Sequence, residues 1–241
     1  MQKTQWNVMK MGVLAAGLGV LVAAFYSPEK TFGQDVSLYE VIVTNLTRGQ
    51  QFMPIVLATS EEGVPVLTLG SASSPELAVL AEEGNTEPLA ALWKSSPGVF
   101  EVTTSTGVVN PGASVRLTIR GGGKLAHHFS LASKLSPTND AFIALDNVEV
   151  AATNIGATLN PTLTVWPQAY DSGTERNDEL CASIPGPFFA ECNGAGGGGM
   201  PAGGEEGYVY IHSGIHGVGN LSTATRDWNN PVARIVIRKA R

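Results

Sequence analysis

The sequence predicts an all-β fold, an antiparallel sandwich with one or two short helices in its connections. Three observations lead there. Apolar and polar residues alternate in short runs: Val115, Leu117 and Ile119 against Arg116, Thr118 and Arg120, then Ala233, Ile235 and Ile237 against Arg234, Val236 and Arg238. That period of two marks half-buried strands. Turn formers such as Asn110-Pro111-Gly112 and Gly121-Gly122-Gly123 separate the runs. Glycine is abundant, with 28 residues, and helix-favouring Lys and Glu are sparse, a balance that favours strands and turns. No helix alternates regularly with the strands, so a parallel sheet is excluded.

Residues 38–46, LYEVIVTNL, are β-branched and apolar and read as the first strand, and MPIVLAT (53–59) as the second. The period then changes. Ser74 stands as an N-cap, Pro75 takes the first helical position, Leu77, Leu80 and Ala81 recur at helical spacing, and Gly84 stops the helix. EPLAALWKSS (87–96) adds another turn or two. Strand patterning resumes in VFEVTTS (99–105), ASVRLTIRG (113–121), KLAHHFSLASKL (124–135), AFIALDNVEV (141–150), LTVWP (163–167), GYVYIH (207–212) and VARIVIRKA (232–240). No internal repeat is present.

Lys3 and Lys10 precede an uncharged apolar run, residues 11–25, followed by a polar exit. A basic start, an apolar run and a polar exit read as a secretory signal. We assign residues 1–33 to it and 36–241 to one domain. The run is at or below the ~17–25 residues that span a bilayer, so no stable span is expected after signal removal; an uncleaved anchor is the alternative. Export suits the two cysteines, Cys181 and Cys192. An even count in an exported chain favours a disulfide over free thiols or half of a metal site. The net charge of -6 excludes nucleic acid as a partner, because that binding needs clustered Lys and Arg. The tract GAGGGGMPAGG (194–204) lacks the Gly-Lys-Ser/Thr ending of a phosphate loop and reads as a loop of low complexity.

One stretch is out of proportion. QAYDSGTERNDELC (168–181) gathers Asp171, Glu175, Asp178 and Glu179 in a chain that is only 15% charged. Oxygen-rich loops suit Ca²⁺, which takes six to eight oxygen ligands. Asp140, at the start of another strand, is the best donor from elsewhere, while the EF-hand spacing is absent. By spacing alone, a solvated acidic turn is the favoured reading.

Four segments occur in one order: YEVIVTNLT, SPTNDAFIALDNVEV, AYDSGTE and NPVARIVIRKA. Together they resemble the spondin N-terminal domain, found in F-spondin and mindin and in exported bacterial proteins. GYVYIHSGIHGVGNL resembles the bacterial branch. The resemblance covers about residues 36–241. It implies a C2-like β-sandwich and one Ca²⁺, held in the animal members by an Asp in a Pro-Asp-Trp segment and two Asp in an aromatic-Asp-Ala-Gly-Thr-Asp segment. Motif by motif these fall on Asp140, Asp171 and Glu175. Glu175 replaces an Asp, and Asp140 is flanked by Asn139 and Ala141 instead of Pro and an aromatic. Asp178, Glu179 and Asp146 are second-rank candidates, Asp146 reading more readily as a surface residue. The implied function is an exported, non-catalytic binding or adhesion module whose partner is an extracellular protein or glycan.

Two other readings stay open. His212 and His216 are four residues apart, and a turn that gathered both with a carboxylate would make a zinc-like site for a metal-dependent hydrolase. HExxH and G-x-S-x-G are both absent. The alternative for these histidines is hydrogen bonding within a loop. The third reading is a structural envelope or assembly protein. His127 and His128 are adjacent on an expected strand, which would turn their side chains to opposite faces. Asn45-Leu46-Thr47 and Asn220-Leu221-Ser222 match the glycosylation pattern.

Overall fold

Eleven strands form two antiparallel sheets in the computed structural model, which describes residues 36–122, 126–150, 162–185, 190–192 and 206–240. The expected signal segment and the glycine-rich tract 194–204 lie outside the described residues. The first sheet contains β1 (Ser37–Asn45), β5 (Ser114–Gly121), β8 (Thr162–Val165) and β11 (Ala233–Lys239), in the order β5-β1-β11-β8. The second contains β2 (Gln51–Phe52), β3 (Val56–Ser60), β4 (Val99–Thr104), β6 (His128–Ser136), β7 (Ala141–Glu149), β9 (Ala169–Asp171) and β10 (Tyr210–Ile211). Its order is β10-β9-β7-β6-β3-β4, with β2 also on β6. The all-β sandwich expected from the sequence is therefore the fold.

The strict alternation in β1, β5 and β11 turns Val41, Val43, Leu117, Ile119, Ile235 and Ile237 into one core and leaves their polar neighbours outside. Leu57, Phe129, Leu131, Ile143 and Leu145 meet them from the second sheet. The opposite face of that sheet is covered as well. Val56, Ala58, Ala132, Phe142 and Ala144 pack on two helices, α1 (Pro75–Glu83) and α2 (Glu87–Ser95), through Leu77, Leu80, Leu89, Ala90 and Trp93. A sheet buried on both faces has no solvent-facing positions to alternate with. That is why β3 and most of β6 are buried at every residue, with the polar Ser130, Ser133 and Lys134 included.

Helix α1 begins where the sequence places it. Leu77 N donates to Ser74 Oγ at 3.1 Å, and Gly84, at φ 73°, donates its N–H to Leu80 O. Helix α2 is a full nine residues, longer than expected, and a four-residue helix α3 (Thr223–Arg226) was not anticipated. The expected strand 53–59 is broken. Pro54 has no N–H to give a ladder, so Gln51–Phe52 pair with β6 and the main strand starts at Val56. GYVYIH contributes only Tyr210–Ile211, and β9 was missed because three residues carry no readable period.

Candidate metal centre

Strand pairing brings the acidic residues to one end of the second sheet. Asp140 immediately precedes β7, Asp171 ends β9, and Ala141 and Asp171 are register partners. The chain after β9 wraps the Asp140 carboxylate. Its Oδ2 accepts hydrogen bonds from Ser172 Oγ at 2.9 Å, Thr174 N at 2.8 Å and Glu175 N at 3.0 Å. Asp171 Oδ1 accepts from Gly173 N at 2.8 Å and Oδ2 from Asn177 Nδ2 at 2.6 Å. Gly173 is required at its position. Its φ is 68°, and a Cβ there would lie 2.3 Å from Tyr208 O.

All three carboxylates named from the sequence are sealed from solvent, with Asp140 and Asp171 at 0% exposure and Glu175 at 1%. Buried polar atoms are normally paired. Here Asp140 Oδ1 and both Glu175 oxygens have no hydrogen-bond partner in the structure. A buried ammonium lies nearby, that of Lys134. Its three N–H bonds are all committed to backbone, to Ala81 O at 2.6 Å, Thr138 O at 2.9 Å and Asn139 O at 2.6 Å. It therefore neutralises the carboxylates through space and donates to none of them. A lysine ammonium has three donors and no more.

The electrostatics follow from this shortage of positive charge. Burial, reinforced by the Asp140 charge, pushes the Asp171 carboxyl up to about 7 against the hydrogen bonds from Asn177 and Gly173. Burial likewise pushes Glu175 up to about 8; Lys134 offsets part of this, while Glu82, Asp140 and Asp178 add to it. Lys134 is brought down to about 8 by burial, with the surrounding carboxylates opposing the change. Glu82, on the last turn of α1, is raised by burial and touched by the Asp140 charge. Sequence reading missed both Glu82 and Lys134, because each lies on an element remote in the chain from the acidic stretch.

Among the described residues, no group of three His, Cys, Asp or Glu side chains is already gathered at metal-ligand spacing. What the site does offer is oxygen only, carboxylate in type and partly unpartnered. That donor set fits a hard cation such as Ca²⁺.

The second-rank acidic residues have other work. Glu179 accepts from His216 N at 2.5 Å and Val218 N at 3.0 Å, and so organises the 212–220 loop. Asp178 accepts from Leu180 N, Ser183 Oγ and Asn139 Nδ2. Asp146 is exposed, as expected of a surface residue, and accepts from Val66 N at 2.7 Å. Asn139 ties Asp140 to the acidic stretch through Asp178 Oδ1 at 3.0 Å and Glu179 N at 3.2 Å. Cys181 and Cys192 form a disulfide, with Cα atoms 5.5 Å apart.

The histidines divide. His212 is buried, accepts from Gly214 N at Nδ1 (3.0 Å), and holds Nε2 3.6 Å from Asp171 Oδ2. His216 is exposed, with Nε2 at 2.7 Å from Ser213 Oγ. His127 precedes β6, so it escapes the strand geometry expected of it, and its ring lies 4.2 Å from that of His128. Asn45, in the first glycosylation pattern, is fully buried, with Nδ2 donating to Gln50 O and Val109 O. Among the described residues, no helix is long and apolar enough to cross a membrane. No family model matches this chain, and no curated protein matches it.

Proposed function

We propose that this protein is an exported, non-catalytic binding module of the spondin type that holds one Ca²⁺ through Asp140, Asp171 and Glu175. The single observation that carries the reading is the set of sealed carboxylates with oxygens that meet no donor. The chain has two ways to neutralise such a site. It can take up protons, as the raised Asp171 and Glu175 allow, or it can take up a cation. The sequence resemblance names the same three positions independently of their burial.

The sealing shapes what the ion does. With all three carboxylates at 1% exposure or less, no partner group reaches it from solvent. Its role is to join the end of β9 and the 171–175 turn to the start of β7, and through Lys134 and Asn139 to α1 and the 178–183 turn. The loops so fixed present the surface that meets an extracellular protein or glycan. The disulfide and the signal-like start of the sequence support export.

Thermal unfolding of the purified chain in EDTA, then in graded Ca²⁺, Mg²⁺ and Zn²⁺, tests the reading. Ligand at 100 times its Kd stabilises by ~2.7 kcal/mol, or about 5–11 °C for a domain of this size. A rise specific to Ca²⁺ and lost in Asp171→Asn is the expected result. No response to Ca²⁺ in the unaltered chain overturns the reading, and a response to Zn²⁺ alone favours the histidine-based hydrolase.

A further inference from the structure

We infer that His212 is a positioning residue for the cation site, presenting an N–H and not a lone pair to Asp171, and that it thereby keeps the site selective for hard cations. The inference rests on the cation reading above. It begins from an atom with no hydrogen-bond partner among the described residues: His212 Nε2 is buried and 3.6 Å from Asp171 Oδ2.

The tautomer follows from the other ring nitrogen. Gly214 N lies 3.0 Å from His212 Nδ1, and a backbone N–H can only donate. Nδ1 must therefore be the acceptor, and in a neutral ring the proton is on Nε2. The ring is held in this orientation on two further sides. Its backbone N–H donates to Ala169 O at 3.0 Å, at the start of β9, and its face lies 5.0 Å from the ring of Trp228. Metal ligation by Nε2 would need that proton removed while Nδ1 still faced a donor. The imidazole beside the site is thus barred from serving as a nitrogen ligand, which is what a transition metal would use there.

The N–H faces Asp171 Oδ2. At 3.6 Å the contact is too long for a hydrogen bond, and a shift of about half an ångström closes it. Gly173, Asn177 and the Tyr210 hydroxyl already donate to the Asp171 carboxylate, and the His212 N–H would join them in fixing its orientation towards the ion. Supports of this outer kind fix the orientation of a ligand, and their loss typically weakens metal binding 10–100-fold.

Two measurements on the full chain test this. Two-bond ¹H–¹⁵N spectra, with His212 assigned by the signals that vanish in His212→Gln, are expected to show Nε2 protonated and Nδ1 bare, without cation and with Ca²⁺ or Zn²⁺ added. Calcium titrations are expected to show about 10–100-fold weaker binding in His212→Phe, which keeps the ring and loses the donor. His212→Gln, whose amide N–H can stand where Nε2–H stands, recovers most of that loss. The opposite tautomer, or a Zn²⁺-induced loss of the Nε2 proton, overturns the inference. So does a His212→Phe chain that folds and binds Ca²⁺ as tightly as the unaltered one. If His212→Phe does not fold, the tautomer decides. An unaltered chain that binds no Ca²⁺ overturns the cation reading and this inference with it, whereas a response that His212→Phe leaves intact removes only the role of His212.

Discussion

Replacing Lys134 with Met keeps the length and apolar stem of the side chain and removes its charge and three donors. The carbonyls of Ala81, Thr138 and Asn139 then lose a charge-assisted hydrogen bond each. Such bonds contribute ~1.5–3 kcal/mol apiece, but burying the ammonium has a cost of its own, visible in its lowering to about 8. Breaking a fully buried charge from its partners typically destabilises by ~3–5 kcal/mol. We expect that range for Lys134→Met in EDTA, or roughly 6–20 °C in melting temperature for a domain of this size. Urea unfolding at neutral pH reads it as a lower midpoint at unchanged slope. The same change removes a positive charge from beside Asp140 and Glu175, so Ca²⁺ is expected to bind the folded variant more tightly. A loss of stability under ~1 kcal/mol would refute the reasoning about the three carbonyls. Weaker Ca²⁺ binding in a folded variant would refute the electrostatic part.

The protonation of the site predicts a pH dependence of definite sign. Folded-state values of about 7 for Asp171 and about 8 for Glu175 lie far above the ordinary carboxylate range, so the folded chain holds protons that the unfolded chain releases. Their contribution is fully present below about pH 4 and is lost as pH rises through 7–8. In EDTA, stability from these groups should fall between about pH 5 and 8, and Ca²⁺ should raise it more at pH 8 than at pH 5.5, where protons compete. A calcium increment independent of pH in calorimetric melts would contradict this. The disulfide gives a simpler expectation. Its partners are 11 residues apart, and closing so short a loop stabilises by about 3 kcal/mol in the chain-entropy model. Cys181→Ser with Cys192→Ser should lower stability by that amount in urea, and no change would mean that native contacts already close the loop.

Glu175 and Lys134 illustrate how much the sequence made legible. Glu175 was named from a local pattern, since a turn of the form Asp-Ser-Gly-Thr-Glu keeps its meaning within a few residues. Lys134 lies near the end of β6, between Ser133 and Leu135, and period-two reading treats it as a polar position facing solvent. The structure buries it completely because helices α1 and α2 cover the outer face of the second sheet, and that covering is a property of no single segment. His212 is a similar case. Four-residue spacing pointed to His216 as its companion, whereas the register of β10 on β9 turns it towards Asp171. Asp146 is exposed, as a surface residue should be, yet it accepts from a backbone N–H 80 positions away; Glu179, a spare ligand by spacing, is bound by backbone N–H groups 37 and 39 positions away.

The sequence by itself determined the class of fold, most strand positions, the capped helix α1 and the turn at Asp171–Glu175. Each of these rests on interactions spanning a few residues: alternation of side chains across a pleat, a hydroxyl capping a helix, a glycine at positive φ. Only the tertiary structure decided which sheet is buried on both faces, and which polar side chains end in the interior with their donors accounted for. It also decided that the Asp140, Asp171 and Glu175 carboxylates are sealed while three of their oxygens are left without a donor. Burial and hydrogen-bond satisfaction are set by strands and helices that meet across long stretches of chain. A pattern read along one segment carries no information about what will cover it.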